Sequence, residues 1–229
     1  MNILVISSAP VLKKDGTYMA YSPYVREMDF WFKYFEGVVI VCPSQYDKPL
    51  LKSSFKRQDI RLVSVNPISI DRFLSGLKAI VYTPKILVTI FFEMLSADHI
   101  HLRCPGNMGL LGALVQIFFP HKPKTAKYAG NWKPGARQPW SYRFQKWILS
   151  NTYLTKNMQV LVYGEWLNQT PNVKAFFTAS HSEKDKVEIP KRKYDLPLRF
   201  LFVGSLSPGK QPVYALALVA ELIKRGFPS

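Results

Sequence analysis

Residues 98–113 read DHIHLRCPGNMGLLGA. His99–Leu102 has the make-up of a short strand, Pro105-Gly106 is a turn, and Asn107–Phe119 resumes with helical spacing. A strand that passes through a tight turn into a helix is the repeating unit of a parallel sheet. The unit recurs in both directions. Apolar runs bounded by turn residues stand at Asn2–Ile6, Val38–Cys42, Ile60–Val65, Thr125–Tyr128, Gln159–Tyr163 and Lys174–Thr178. Helical segments lie between them at Ala20–Phe35, with Pro23 near its start, and at Ile70–Leu95, read as two helices broken at Pro84. Pro139–Leu149 completes the series. The alternation predicts an α/β fold, a Rossmann-like doubly wound parallel sheet.

A boundary follows. Ser182–Leu198 (SEKDKVEIPKRKYDLPL) is polar and charged, interrupted by Pro190 and Pro197, and reads as a linker. Beyond it Arg199–Val203 is expected to be a strand, Gly204–Lys210 a loop and Val213–Lys224 a helix. One such unit cannot close a sheet or bury both its faces. The expected organisation is therefore a first domain over 1–181, a linker over 182–198, and the truncated start of a second Rossmann-like domain over 199–229.

Charge narrows the partners. Lys and Arg number 31 against 15 Asp and Glu, a net +16 that favours phosphorylated ligands, nucleic acid or an acidic membrane surface. The excess is concentrated: from His99 to Gly164 there is no acid at all. Within Pro139–Leu149, Trp140, Phe144 and Trp147 share a helical face, with Arg143 and Lys146 away from it. That face reads either as core aromatics beneath a solvated basic surface or as an interfacial surface for a lipid-linked acceptor on an anionic membrane. Cys42 and Cys104 form no disulfide framework and, with the four histidines, no metal-ligand spacing. No metal or other cofactor is expected. The N-terminus, MNILVISSAP, lacks the basic start of a signal peptide, and no apolar run approaches the ~20 residues of a spanning helix. A cytoplasmic protein, peripheral on the inner face of the membrane, is the expectation.

Ligands of an open parallel sheet bind beyond the carboxyl ends of its strands, and four loops there carry chemistry. Ser7–Tyr18 (SSAPVLKKDGTY) offers Gly16 for close backbone approach to an anion. His99–Asn107 places His99, His101 and Arg103 on one strand face, with Arg103 last and Asn107 at the helix start. Ala129–Arg137 (AGNWKPGAR) combines Asn131, Trp132, Lys133 and Arg137, a mixture suited to sugar faces and phosphates, or alternatively a solvated basic loop with Trp132 folded into the core. Gly204–Gln211 (GSLSPGKQ) is a plausible phosphate cradle in which Lys210 supplies charge.

The order and spacing of these motifs resemble the retaining GT-B glycosyltransferases of the glycogen synthase and mannosyltransferase type, family four in the usual grouping. The segments that carry the likeness are the N-terminal strand with its Gly loop, DHIHLRCPGNMGLLGA, KYAGNW, TASHSE and FVGSLSPGK. The resemblance implies two Rossmann-like domains facing a cleft, transfer of a hexose with retention, and no obligatory metal. It implies His101 and Arg103 near the transferred sugar, and Gly16, Gly204, Ser205 and Lys210 toward the donor's phosphates. Asn107, Asn131, Trp132, Lys133 and Arg137 then fall on the acceptor side. The implied partners are a nucleotide-sugar donor, a saccharide or lipid-linked acceptor, and an anionic membrane surface. The chain departs from the family at Arg103, where a second histidine is frequent, at Ser205, where arginine is usual, and at Gln211, where glycine is common. The paired glutamates of the donor site would lie beyond Ser229, so little catalysis is expected of this chain alone. Two alternatives remain open: a basic nucleic-acid-binding α/β protein, which lacks any RRM, KH or helix-turn-helix signature, and a non-catalytic acceptor-binding remnant.

Overall fold

Asn2–Ile6 forms strand β1, and from Ile3 to Ile6 every side chain is fully buried. A strand with apolar residues on both faces needs cover on both. Its neighbours are β4 (Gly37–Pro43) on one side and β7 (His99–Cys104) on the other, both parallel, with Val5 opposite Ile40 and His101. The sheet continues through β6 (Arg61–Val65) beyond β4, and through β8 (Lys124–Tyr128), β9 (Met158–Val162) and β10 (Val173–Ala175) beyond β7. All seven strands are parallel, in the order β10-β9-β8-β7-β1-β4-β6. The computed structural model describes residues 1–45, 51–68, 73–177, 186–188, 190–191, 199–204 and 206–227, with the side chains of 73–80 and 208 left aside.

The direction of winding reverses at β1, and the helices divide accordingly. α1 (Ser22–Phe32) packs Tyr24, Val25, Met28 and Phe32 against Ile3, Val5, Val38 and Ile40. α2 (Phe73–Ser96), α3 (Asn107–Val115) and α4 (Trp140–Ser150) lie on the opposite face, where Ile86, Ile90, Met108 and Ile148 meet Leu4, Ile6 and Leu102. α3 presses closest. A Cβ on Gly109 would stand 2.5 Å from the Arg103 carbonyl oxygen, and one on Gly112 2.8 Å from Leu102 Cδ2.

Three expectations need correction. The Ser7–Tyr18 loop contains a hairpin: β2 (Leu12–Lys14) and β3 (Thr17–Tyr21) pair antiparallel and are joined by β5 (Lys52–Ser54) into a small second sheet. Asp15 and Gly16 form its two-residue turn with φ of 48° and 78°, the primed geometry that an Asp-Gly pair supplies. α2 is one helix, not two, with Pro84 inside it. Ile86, Ile90 and Met94 anchor the turns after Pro84 in the core, which offsets the lost hydrogen bond. Arg199–Val203, expected to be a strand, has no regular secondary structure, joins no sheet and is exposed.

The chain divides into two compact units, Met1–Ser180 and His181–Ser229. The second contains a 3-10 turn at Pro208–Lys210 and helix α5 (Pro212–Lys224), none of whose residues is buried. Most of 182–198 and Thr178–Glu183 of TASHSE lie outside the described residues.

Candidate functional site

The carboxyl ends of β1, β4, β6 and β7 surround a crevice at the point where the winding reverses. Ser8, Pro43, Pro67, Ile68, Gly106 and Asn107 line it, Tyr142 closes it, and its volume is about 300 Å³. Its floor is held by specific bonds. Met108 N donates to Ser8 Oγ at 3.2 Å, Asn107 Nδ2 to the Ile68 carbonyl at 2.8 Å, and Gln145 Nε2 to the Gly106 carbonyl at 3.0 Å. Gly106 precedes α3 with φ 156°, and a Cβ there would lie 2.6 Å from Ser8 Oγ. Gly106, the residue before α3, has no side chain to cap it; Ser8 Oγ, from just past the end of β1, takes the Met108 amide of the first turn instead.

A second cleft, about 520 Å³, lies on the α1 face of the sheet, where β7, β8 and β9 end. Tyr24, Phe30, Trp31, Tyr163, Phe176 and Phe177 make its walls. Arg103 Nη1 pairs there with Glu27 Oε1, and the guanidinium lies 5.3 Å from the Tyr24 ring centroid. On the adjacent strand, opposite Arg103, Lys127 is wholly buried. Its Nζ sits 4.3 Å from the Tyr163 ring and 4.1 Å from the Phe176 ring. Burial lowers the Lys127 pKa to about 8; the Glu27 carboxylate opposes the shift and Arg103 adds to it.

Beneath this cleft His101 is fully buried. Its Nδ1 shares the Thr125 hydroxyl (2.8 Å) with His99 Nε2 (2.9 Å), and its ring packs under Trp31 at 4.8 Å. Burial first, then Arg103, His99 and Lys127, hold its pKa well below the ordinary histidine value, so it is neutral. His101 lines none of the cavities described. In this conformation it supports the strand and Trp31 and touches no ligand space.

A third cavity, about 480 Å³, is formed by the loop after β8 and by α4: Gly135, Ala136, Arg137, Gln138, Arg143 and Lys146. The loop is stapled to the helix. Lys146 Nζ donates to the carbonyls of Trp132 (2.8 Å) and Lys133 (3.3 Å), and Gln138 Nε2 donates to the Asn131 carbonyl. Asn131 Oδ1 accepts from Lys133 N at 2.9 Å, tightening the turn.

The expected site residues therefore separate. Asn107 is in the crevice, Arg103 in the aromatic cleft and Arg137 in the basic cavity, all at the carboxyl edge of the sheet. Asn131 and Lys133 are exposed beside the third cavity. Of its two readings, sugar contact or a ring folded into the core, Trp132 follows the second in this conformation: it is 2% exposed, packs edge-on to Tyr128 at 4.9 Å and donates to Gln169 Oε1 at 2.6 Å. Burying a large ring with its N–H satisfied is the lower-energy choice. Gly16 is at the hairpin tip with nothing within 4 Å of an added Cβ, so the turn alone accounts for a glycine there. Gly204 and Lys210 belong to the second unit, where Lys210 is exposed on its 3-10 turn; Ser205 lies outside the described residues. Trp140, Phe144 and Trp147 do not form core: α4 buries Gln145, Ile148 and Leu149 instead. Sequence reasoning missed Ser8, Glu27 and Tyr163. No local signal marks Glu27, whose partner lies on another element.

Among the described residues no group of three His, Cys, Asp or Glu is placed to hold a metal ion, and no helix is long and apolar enough to cross a membrane. Neither known family models nor curated proteins match the chain. Among solved structures it is similar to one titled as a UDP-N-acetylglucosamine 2-epimerase, at 11% identity and a TM-score of 0.40, over 71% of this chain. The chain spans 41% of that protein's length.

Proposed function

We propose that this chain forms the acceptor-side half of a nucleotide-sugar-dependent glycosyltransferase of the GT-B type, a hexosyltransferase of cell-surface polysaccharide synthesis. The observation that carries the reading is the crevice at the point of reversed winding, with Ser8, Asn107 and Tyr142 lining it at the start of α3. An open parallel sheet places its ligand there. Small polar groups around an apolar floor suit a polyhydroxylated ligand.

In this reading Ser8, Asn107 and Tyr142 orient the acceptor in the crevice, and Arg103, held by Glu27 in the separate aromatic cleft, offers a fixed positive charge to an anionic part of a ligand there. His101 acts through packing, as the support of Trp31 and Thr125. Within the second unit this reading assigns Gly204 and Lys210 to the donor's diphosphate, Lys210 offsetting the charge that develops on the leaving group. Transfer proceeds with retention and without an obligatory metal.

The test is ligand-detected NMR of the full chain against panels of oligosaccharides and nucleotide sugars. A saccharide signal that Asn107→Ala and Tyr142→Ala both weaken supports the assignment. Absence of any saccharide signal, with selective binding of a nucleic-acid sequence or strand state, overturns it.

A further inference from the structure

Arg137, Arg143 and Lys146 converge on one cavity of about 480 Å³ that contains no carboxylate, within a segment, 99–164, that has no acid in its sequence. Converging cations repel one another and normally recruit an acid. Here neither arginine has an ion-pair partner among the described residues, while the frame around them is fixed. Lys146 is clamped to the Trp132 and Lys133 carbonyls and lies 5.1 Å from the Trp132 ring; Gln138 is clamped to Asn131. Gly135, at φ 72°, turns the loop back toward α4. α4 follows Pro139, which offers no side-chain cap, and has no acid in its first turn, so its dipole adds to the positive potential.

We propose that this cavity is a phosphate or diphosphate site. Two exposed guanidinium groups line the cavity beside the clamped Lys146, and guanidinium suits the planar, bidentate hydrogen bonding of phosphate oxygens, with the lysine supplying a third charge. Trp140, Phe144 and Trp147 stand beside it on the same helix, 67%, 37% and 57% exposed, with Phe144 and Trp147 stacked at 5.8 Å. An exposed aromatic ridge next to a phosphate pocket fits a phosphate borne on an amphiphile, the rings lying at the level of its headgroups. The site deepens the acceptor side of the proposed function and rests on that function only for which substrate bears the phosphate. A chain that binds phosphate but transfers no sugar would fail the earlier reading and keep this one.

The test is titration of the full chain with inorganic pyrophosphate by calorimetry at fixed ionic strength. Arg137→Gln with Arg143→Gln is compared with a charge-matched control, Lys156→Gln with Lys174→Gln, at two exposed lysines away from the cavity. The cavity variant should bind at least about tenfold more weakly and the control should match the native chain. Equal loss in both variants, or none in the cavity variant, overturns the site, since it would reduce binding to the general attraction of a +16 chain. Flotation with phosphatidylcholine vesicles, with and without phosphatidic acid, distinguishes the source. Capture only by the phosphate-bearing vesicles, released by pyrophosphate, marks a lipid-borne phosphate; pyrophosphate binding without capture marks a soluble one.

Discussion

Arg103 on β7 and Glu27 on α1, 76 residues apart, form an ion pair that is 17% and 8% exposed and that joins the helix to the one strand end where His101, Thr125 and Lys127 gather. Breaking one side of such a pair leaves an uncompensated buried charge. Glu27→Gln would strand Arg103 beside Lys127 and should cost about 3–5 kcal/mol, whereas replacing Glu27 and Arg103 together by methionine should cost distinctly less. Urea denaturation of the singles and the double reads this directly. Single-variant losses below about 1 kcal/mol would mean that the pair is effectively solvated.

Two buried lysines make stability depend on alkaline pH. Burial holds Lys124 and Lys127 near 8, against 10.5 for an ordinary lysine. Below pH 8 both are charged in the folded and unfolded chain, and the cost of burying charge is fully present. As pH rises above 8 the folded chain releases these protons first, so stability increases. Above pH 9 the thiols of Cys42 and Cys104, pushed up to about 12 by burial, pull the other way. The urea midpoint should therefore rise between pH 8 and 9, and Lys124→Met and Lys127→Met should each flatten the rise. A midpoint that falls over that interval in the native chain contradicts the assignment.

At acid pH the histidines dominate the opposite end. His101 and His99 are both held below the ordinary value of 6.5, by burial in each case and for His101 also by the neighbouring cations. The unfolded chain takes up protons at 6.5 where the folded chain does not, so stability is lost as pH falls below 6.5. His101→Gln should reduce the loss between pH 6.5 and 5.5. An unchanged slope would place the proton uptake elsewhere.

α3 is positioned by what its glycines lack. Gly109→Ala would drive a methyl group into the Arg103 carbonyl, with backbone atoms that cannot yield, and should cost about 1–3 kcal/mol. Gly106→Ala would meet Ser8 Oγ at 2.6 Å, the oxygen that accepts from Met108 N at the crevice floor. Saccharide binding should fall more for Gly106→Ala than for Gly16→Ala, whose hairpin turn is open to solvent. Equal binding by the two variants would separate the crevice from ligand recognition.

Strands β1, β4 and β9 were legible because each is a mostly apolar run bounded by turn residues, a property local to the residues concerned. The hairpin was also encoded, in Asp15-Gly16 between Leu12–Lys14 and Thr17–Tyr21, but a three-residue strand carries too little periodicity to stand out from a loop. Trp132 and α4 show the other limit. Whether Trp132 or Trp140 turns inward depends on Tyr128, Gln169 and Lys146, residues that local spacing does not connect. Arg103 and Asn107 were readable as strand-end and helix-start residues. Glu27 was not, because its significance comes only from the crossover that lays α1 over β7.

The most direct test of the account is sugar transfer. Protein isolated from its native cell would be incubated with radiolabelled nucleotide sugars and an extract of the same cell's membranes. The account predicts that label from one nucleotide sugar passes to an extractable saccharide or lipid-linked acceptor, and that Asn107→Ala, which removes an amide from the crevice, and Arg103→Gln, which removes the charge from the aromatic cleft, each reduce the transfer by about tenfold or more. If no nucleotide sugar donates label under any of these conditions, while the same preparation binds a defined nucleic-acid strand selectively, the glycosyltransferase reading is contradicted.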